Sequence, residues 1–227
     1  MVTSSPPSGC QTPSCTLPRV HRAAAALVSL RLSADLLRRY RDRRAPELAA
    51  WAVALAAYAV AAGALAWGTA AGWSDAVFRV YYLGGALLTA AFLGVGSLQL
   101  AGRRKVGPAA LVYTGLAIGI ALAMPLRGEI GGTAIPDAQD VLDLWPARVV
   151  AIAGNSLGTL AVVVVALTTF RARPVGNALI LAGVGVAAIG SGLGGLGVGA
   201  LAPAIATAAI LLYLGFVAPT RVSGRRR

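Results

Sequence analysis

The chain has 227 residues, 57% of them hydrophobic and 12% charged, with a formal net charge of +12. A soluble domain carries about twice that charged fraction, so these charges cannot cover a water-facing surface, and lipid is the implied solvent for most of the chain. The arginines sit in short clusters beside apolar stretches, a pattern that speaks for membrane topology and contact with anionic headgroups at the cytoplasmic face, and against nucleic acid.

Residues 1–19 are rich in Ser, Pro and Thr without an apolar period, and are expected to form a disordered tail. No basic stretch precedes an apolar core there, so they do not resemble a signal peptide. Cys10 and Cys15, the two cysteines, both lie in this tail; they can pair if it lies outside the cytoplasm. A transmembrane bundle is expected over 20–219, followed by a basic cytoplasmic tail at 220–227.

The first helix is expected over 20–40. Arg22, Arg31 and Asp35 interrupt it, with Arg31 and Asp35 four residues apart and able to neutralise each other. The dense basic cluster of Arg38, Arg39, Arg41, Arg43 and Arg44 follows. This helix either crosses the membrane or lies on the cytoplasmic surface as an amphipathic anchor. Pro46 and Glu47 open a second span to about residue 67, as suits Pro in a first turn and an acid at the positive end of the helix dipole. A tight turn at 72–75, with Ser74 or Asp75 as N-cap, leads into a third span over 76–100. Arg103, Arg104 and Lys105 form the next basic loop. A fourth span covers 108–126, and the loop 127–146 carries Glu129, Asp137, Asp140 and Asp143. Within it, Val141, Leu144 and Trp145 can share one face of a short interfacial helix. The fifth span covers 147–170, ending at Arg171 and Arg173. The sixth covers 175–193 and the seventh 198–219, before Arg221 and Arg225 to Arg227.

Each span is about 20 residues, enough for about 30 Å of hydrocarbon. Basic clusters fall in every second gap and acidic residues after Glu47 in the others, so the positive-inside rule puts the N-terminus outside and the C-terminus inside. Trp67, Trp73, Tyr81, Tyr82 and Trp145 then fall at the outer interface, and Trp51, Phe170, Tyr213 and Phe216 at the inner one, as aromatic belts. The expected fold is an all-α polytopic transmembrane helix bundle of seven spans; six spans with an N-terminal amphipathic surface helix is the alternative. Spans one to three and five to seven share the order helix, basic loop, helix, tight outer turn, helix. Two parallel triplets joined by a fourth helix would account for it, and repeats of this kind build some transporters.

Two motif matches have simpler accounts. Gly154-Asn155-Ser156-Leu157-Gly158 fits G-x-S-x-G, but a serine nucleophile needs a base. The one histidine is His21, beside the tail, and the one lysine is Lys105, in a loop. Gly154 and Gly158 instead form a small-xxx-small pair for close helix packing, as do Gly115 and Gly119. Gly192-Leu193-Gly194-Gly195-Leu196-Gly197 fits G-x-G-x-x-G, but it lacks a preceding strand and any later acidic residue, and reads as an outer turn at 194–199. Without a His/Cys cluster no metal or cofactor is expected, and without acid–base groups no enzyme.

A polar stripe remains. Arg79, Tyr82 and Thr89 recur at helical spacing on the third span, and Arg148, Asn155 and Thr159 on the fifth. Such groups are costly in lipid and point to the bundle interior. They are the candidates for an outward-facing polar cavity. Structurally, Arg79 would instead pair with Asp75, Arg148 would snorkel, and Asn155 would bond a neighbouring helix.

Segments at 48–51, 78–88 (FRVYYLGGALL), 147–160 (ARVVAIAGNSLGTL) and 176–183 (GNALILAG) resemble an uncharacterised family of small multi-pass membrane proteins common in high-GC actinobacteria. The resemblance implies a seven-span bundle and no known activity, and it supplies no catalytic residues. Two roles are therefore expected: a small transporter or permease-like protein, or a membrane sensor or structural partner subunit working with another membrane protein or a second copy.

Reporter fusions in the loops at Arg103 and Arg171 are expected to report the same, cytoplasmic, side of the bilayer. Opposite sides would dismantle the single orientation read from the charges.

Overall fold

Long runs of Ala, Val, Leu and Gly leave the backbone amides nothing to bond except one another, and a helix satisfies them within one segment. The computed structural model describes residues 13–103, 105–195 and 201–218, with the backbone alone for 13–25, 188, 190–195 and 201–206. Among these residues the fold is all-helical, apart from an isolated antiparallel bridge between Leu126 and Leu142.

The long helices are α1 (Pro13–Arg43), α2 (Pro46–Ala71), α3 (Asp75–Leu100), α4 (Val106–Ala123), α5 (Leu144–Thr168), α6 (Pro174–Gly195) and α7 (Leu201–Val217). Among the described residues four of them, α2 to α5, are long and apolar enough to cross a membrane. Helix α1 begins at Pro13, within the stretch expected to be a disordered tail; residues 1–12, with Cys10, lie outside the described residues. Local signals explain the starts: Pro46 opens α2 with Glu47 in its first turn, and the Ser74 side chain caps α3 by accepting from the Val77 amide at 3.5 Å. Helix α6 continues through Gly194 and Gly195, and the rest of the expected 194–199 turn lies outside the described residues.

Six helices close a ring in which α1 lies against α2, α2 against α3, α3 against α5, α5 against α6, α6 against α7, and α7 against α1. Helix α4 stands outside it, against α3 and the start of α5. Glycines set the contact distances. A Cβ on Gly158 would collide with the Ala90 carbonyl, and one on Gly94 would stand 2.6 Å from Gly158 Cα, so α3 and α5 touch backbone to backbone. A Cβ on Gly215 would lie 2.7 Å from the Gly176 carbonyl oxygen, where α6 meets α7. Gly115 and Gly119 behave otherwise: a Cβ on either meets nothing within 4 Å. They do not pack within the bundle because α4 turns that face away from it.

Three other expectations are corrected. Asp35 pairs with Arg39 at 2.9 Å, not with Arg31, and also accepts from the Tyr213 hydroxyl, tying α1 to α7. The aromatic belts are only partly belts. Trp67 and Trp145 are exposed, at 65% and 71%, but Trp51, Trp73, Tyr82 and Phe216 are buried. Gly96 leaves room for the Trp51 ring and Gly68 for that of Trp73, so these side chains fold inward where lipid-facing positions were expected. The loop before α5 forms a single helical turn at Ala138–Val141, capped by Asp137. Val141 is buried there while Trp145 is non-helical and exposed, so the face expected for Val141, Leu144 and Trp145 is not formed.

Gly158→Val is expected to lower stability by about 3 kcal/mol, the upper end for forcing atoms into a filled contact, whereas Gly115→Val should leave it within about 0.5 kcal/mol. Unfolding in detergent, followed by circular dichroism, measures both.

Candidate functional site

Midway along α3 the helix widens into a π segment, Leu83–Thr89. A π turn advances the hydrogen-bond ladder by one residue and leaves carbonyls open to other donors. Three side chains reach them. Thr89 donates to its own Gly84 carbonyl at 2.6 Å. Asn155 on α5 donates through Nδ2 to the Ala86 carbonyl at 2.8 Å, and also to Ala151 one turn back at 3.0 Å. Tyr113 on α4 donates to the Leu87 carbonyl at 2.7 Å. A Cβ on Gly154 would collide with that hydroxyl, so Gly154 makes space for the bond. The sequence sets Gly84 and Gly85 at this place, and a Cβ on Gly84 would stand 2.5 Å from the Ala57 carbonyl oxygen of α2.

Beside the π segment, inside the ring, lies a cavity of about 340 Å³. Its walls come from five helices: α2 with Tyr58, α3 with Thr89, α5 with Asn155 and Thr159, α6 with Val184, and α7 with Ala209. The lining is mainly apolar. Asn155 spends both amide hydrogens on carbonyls, and its Oδ1 receives no hydrogen bond from a described residue. Thr159 is exposed on the same wall and likewise has no hydrogen-bond partner among the described residues.

Of the six candidates, the structure gathers three at this cavity: Thr89, Asn155 and Thr159. The other three belong to the end of the bundle where α3 begins. Arg79 does not pair with Asp75; its Nη1 donates to the Ala121 and Leu122 carbonyls at 2.8 and 2.9 Å, closing the C-terminus of α4. Tyr82 is buried in an apolar core with Trp73, Phe78, Met124 and Leu142, and stacks on Phe78 with ring centroids 5.9 Å apart. Arg148 lies near Tyr82 and makes no hydrogen bond or ion pair with a described residue.

Tyr113 and Tyr58 went unnoticed in the sequence. A single phenol in an apolar helix was the available signal for each, because lipid offers its hydroxyl no partner. The stretch 154–158 is helical throughout, without the strand and turn of a nucleophile elbow. No group of three or more His, Cys, Asp or Glu among the described residues could hold a metal ion. No protein-family model, curated protein or solved structure matches the chain.

Tyr113→Phe removes one donor from the π segment and should cost about 1 kcal/mol of stability, the scale of a single hydrogen bond in a bundle. Gly154→Ala should cost more, since it also displaces the ring. Denaturant titration in mixed micelles distinguishes the two.

Proposed function

We propose that the chain is a seven-span bundle of the bacterial cytoplasmic membrane, N-terminus outside and C-terminus inside, acting as a small permease-like transporter. Its ligand is a small, mainly apolar molecule that carries a hydrogen-bond donor. The cavity inside the ring carries this reading: it lies at mid-bundle, where α3 departs from regular helix, and on a largely apolar wall it presents Asn155 Oδ1, which has no partner among the described residues. Ligand sites of this kind combine apolar walls with a few fixed polar groups, and π segments recur at functional positions.

The span count draws support from α1, which lies along α2, donates from Ser33 to the Ala52 carbonyl at 2.7 Å, and is tied to α7 through Asp35. A surface helix would cross the bundle's end instead. The ring order is also the one two parallel triplets would adopt, with α1, α2 and α3 answering to α5, α6 and α7.

A second reading, a partner subunit without transport, is favoured by one observation. Helix α4 stands outside the ring with Gly115 and Gly119 facing open space between the exposed Leu111, Leu116 and Leu122, as a helix awaiting another helix would.

Thr159→Phe fills the cavity from a wall position that carries no structural bond. A small molecule that copurifies with the wild type in mild detergent, seen by native mass spectrometry, should be lost from this variant at unchanged thermal stability, together with uptake of that molecule into proteoliposomes. If the same species stays bound to Thr159→Phe, the cavity is not the site. If Gly119→Leu instead breaks an oligomer or complex and leaves small-molecule content unchanged, the partner reading takes its place.

A further inference from the structure

The end of the bundle that gathers the basic loops holds a second cavity, of about 430 Å³. It lies between the C-terminus of α1, the first turns of α2, the α5–α6 loop and the C-terminus of α7. Arg39, Arg43 and Arg173 line it together with Glu47, and Arg39 is already paired through Nε with Asp35. Trp51 and Phe216, stacked with centroids 4.1 Å apart and planes at 12°, give it an apolar wall.

Arg173 is the unusual member. It is 6% exposed, yet forms no ion pair within 4 Å among the described residues. Its Nη2 donates to the carbonyls of Gly215, Phe216 and Ala218 at 3.2, 3.0 and 2.7 Å, closing α7. Its Nε is buried and reaches no acceptor among the described residues. Burial pushes its pKa below the ordinary arginine range, with the Glu47 charge pushing back. An enclosed guanidinium without a paired anion is a costly arrangement. Two further features add to the positive potential. Arg43 has no ion-pair partner among the described residues, and the first turn of α2 enters the cavity without a side-chain cap on its amides.

We infer that this cavity is a phosphate site, in which Arg39, Arg43 and Arg173 hold the phosphate of an anionic lipid headgroup or of a soluble phosphate ester. Arg43, without an ion-pair partner among the described residues, can present its planar fork to two phosphate oxygens, whereas Arg39, whose Nε bonds Asp35, and Arg173, whose Nη2 bonds the end of α7, add charge and their remaining N–H groups. Glu47 opposes the anion. With it the cavity carries a smaller positive charge, and removing it should tighten binding, an effect that a purely structural role for these residues does not predict.

The test uses the full chain in detergent micelles. Native mass spectrometry compares retention of phosphatidylglycerol with that of phosphatidylcholine, and calorimetry titrates inorganic phosphate into lipid-free micelles. Phosphatidylglycerol should be retained over phosphatidylcholine. Retention should fall about fivefold in Arg43→Gln and rise by a similar factor in Glu47→Gln, the scale of one charge near a membrane surface. Arg171→Gln removes a charge from the same end but outside the cavity, and should change retention less than about twofold. If inorganic phosphate binds with the same dependence on Arg43 and Glu47 and displaces the lipid, the natural source is a soluble phosphate compound. If it does not, the source is the headgroup. The site is refuted if neither probe is preferred over phosphatidylcholine, or if binding is the same in wild type, Arg43→Gln and Glu47→Gln. It is equally refuted if Arg171→Gln lowers retention as much as Arg43→Gln. Arg43 is exposed and Glu47 belongs to neither apolar core, and thermal unfolding of each variant, recorded beside the binding, separates a lost site from a lost fold.

Discussion

The contact of Gly158 on α5 with Gly94 and Ala90 on α3 is the interaction on which the centre of the bundle depends. Once helices are in hydrocarbon, no hydrophobic force draws them together, because lipid tails are as apolar as leucine. Close backbone approach and hydrogen bonds between helices must do it. The Gly158 contact brings α5 near enough for Asn155 to reach the Ala86 carbonyl, and Gly154 lets Tyr113 pass to Leu87. Those two bonds, with that of Thr89 to Gly84, satisfy the carbonyls exposed by the π segment. The wide turn and the glycine contact therefore support one another. Without the donors the π segment would carry unpaired carbonyls in lipid, which are expensive; without the small residues the donors would not reach.

The sequence made the helices legible because the bilayer reduces the problem to length and charge. Pro46 with Glu47, Ser74, and the runs between the basic loops placed the four clear spans to within a few residues of their observed ends. The glycine pair at 154 and 158 was legible too, because spacing of four puts both on one face. What spacing cannot report is which face meets what. Gly115 and Gly119 have the same spacing and pack against nothing. Tryptophans at span ends look alike in sequence whether they face lipid, as Trp67 does, or fold over a glycine, as Trp51 does over Gly96. The π segment was invisible for a related reason: one residue added to a turn leaves composition unchanged, and the donors that stabilise it come from helices distant in sequence.

The same limit explains the polar stripe. Arg79, Tyr82 and Thr89 share a side of α3, but the π turn lies between the first two and the third and rotates the face. Tyr82 enters an apolar core, Arg79 reaches α4, and only Thr89 arrives at the cavity. Helical periodicity of 3.6 residues was the premise for grouping them, and it fails where the helix is not an α-helix.

The arginines show how one residue type meets two demands. Arg43, in the last turn of α1, and Arg103, in a loop, read as topology signals. Arg79 and Arg173 do something different: each places a guanidinium on the last carbonyls of a neighbouring helix, α4 for Arg79 and α7 for Arg173. A helix C-terminus carries about half a negative charge on carbonyls that the helix itself cannot satisfy, so the guanidinium is hydrogen-bonded by backbone and its charge is offset in part. Arg79 sits at the end of the bundle where acidic loops gather, against the positive-inside tendency, but its charge is offset in part by α4. Arg127, at the same end, is paired with Asp143. Arg148, at that same end, and Arg43, at the opposite one, have no ion-pair partner among the described residues, so neither charge is offset in this way.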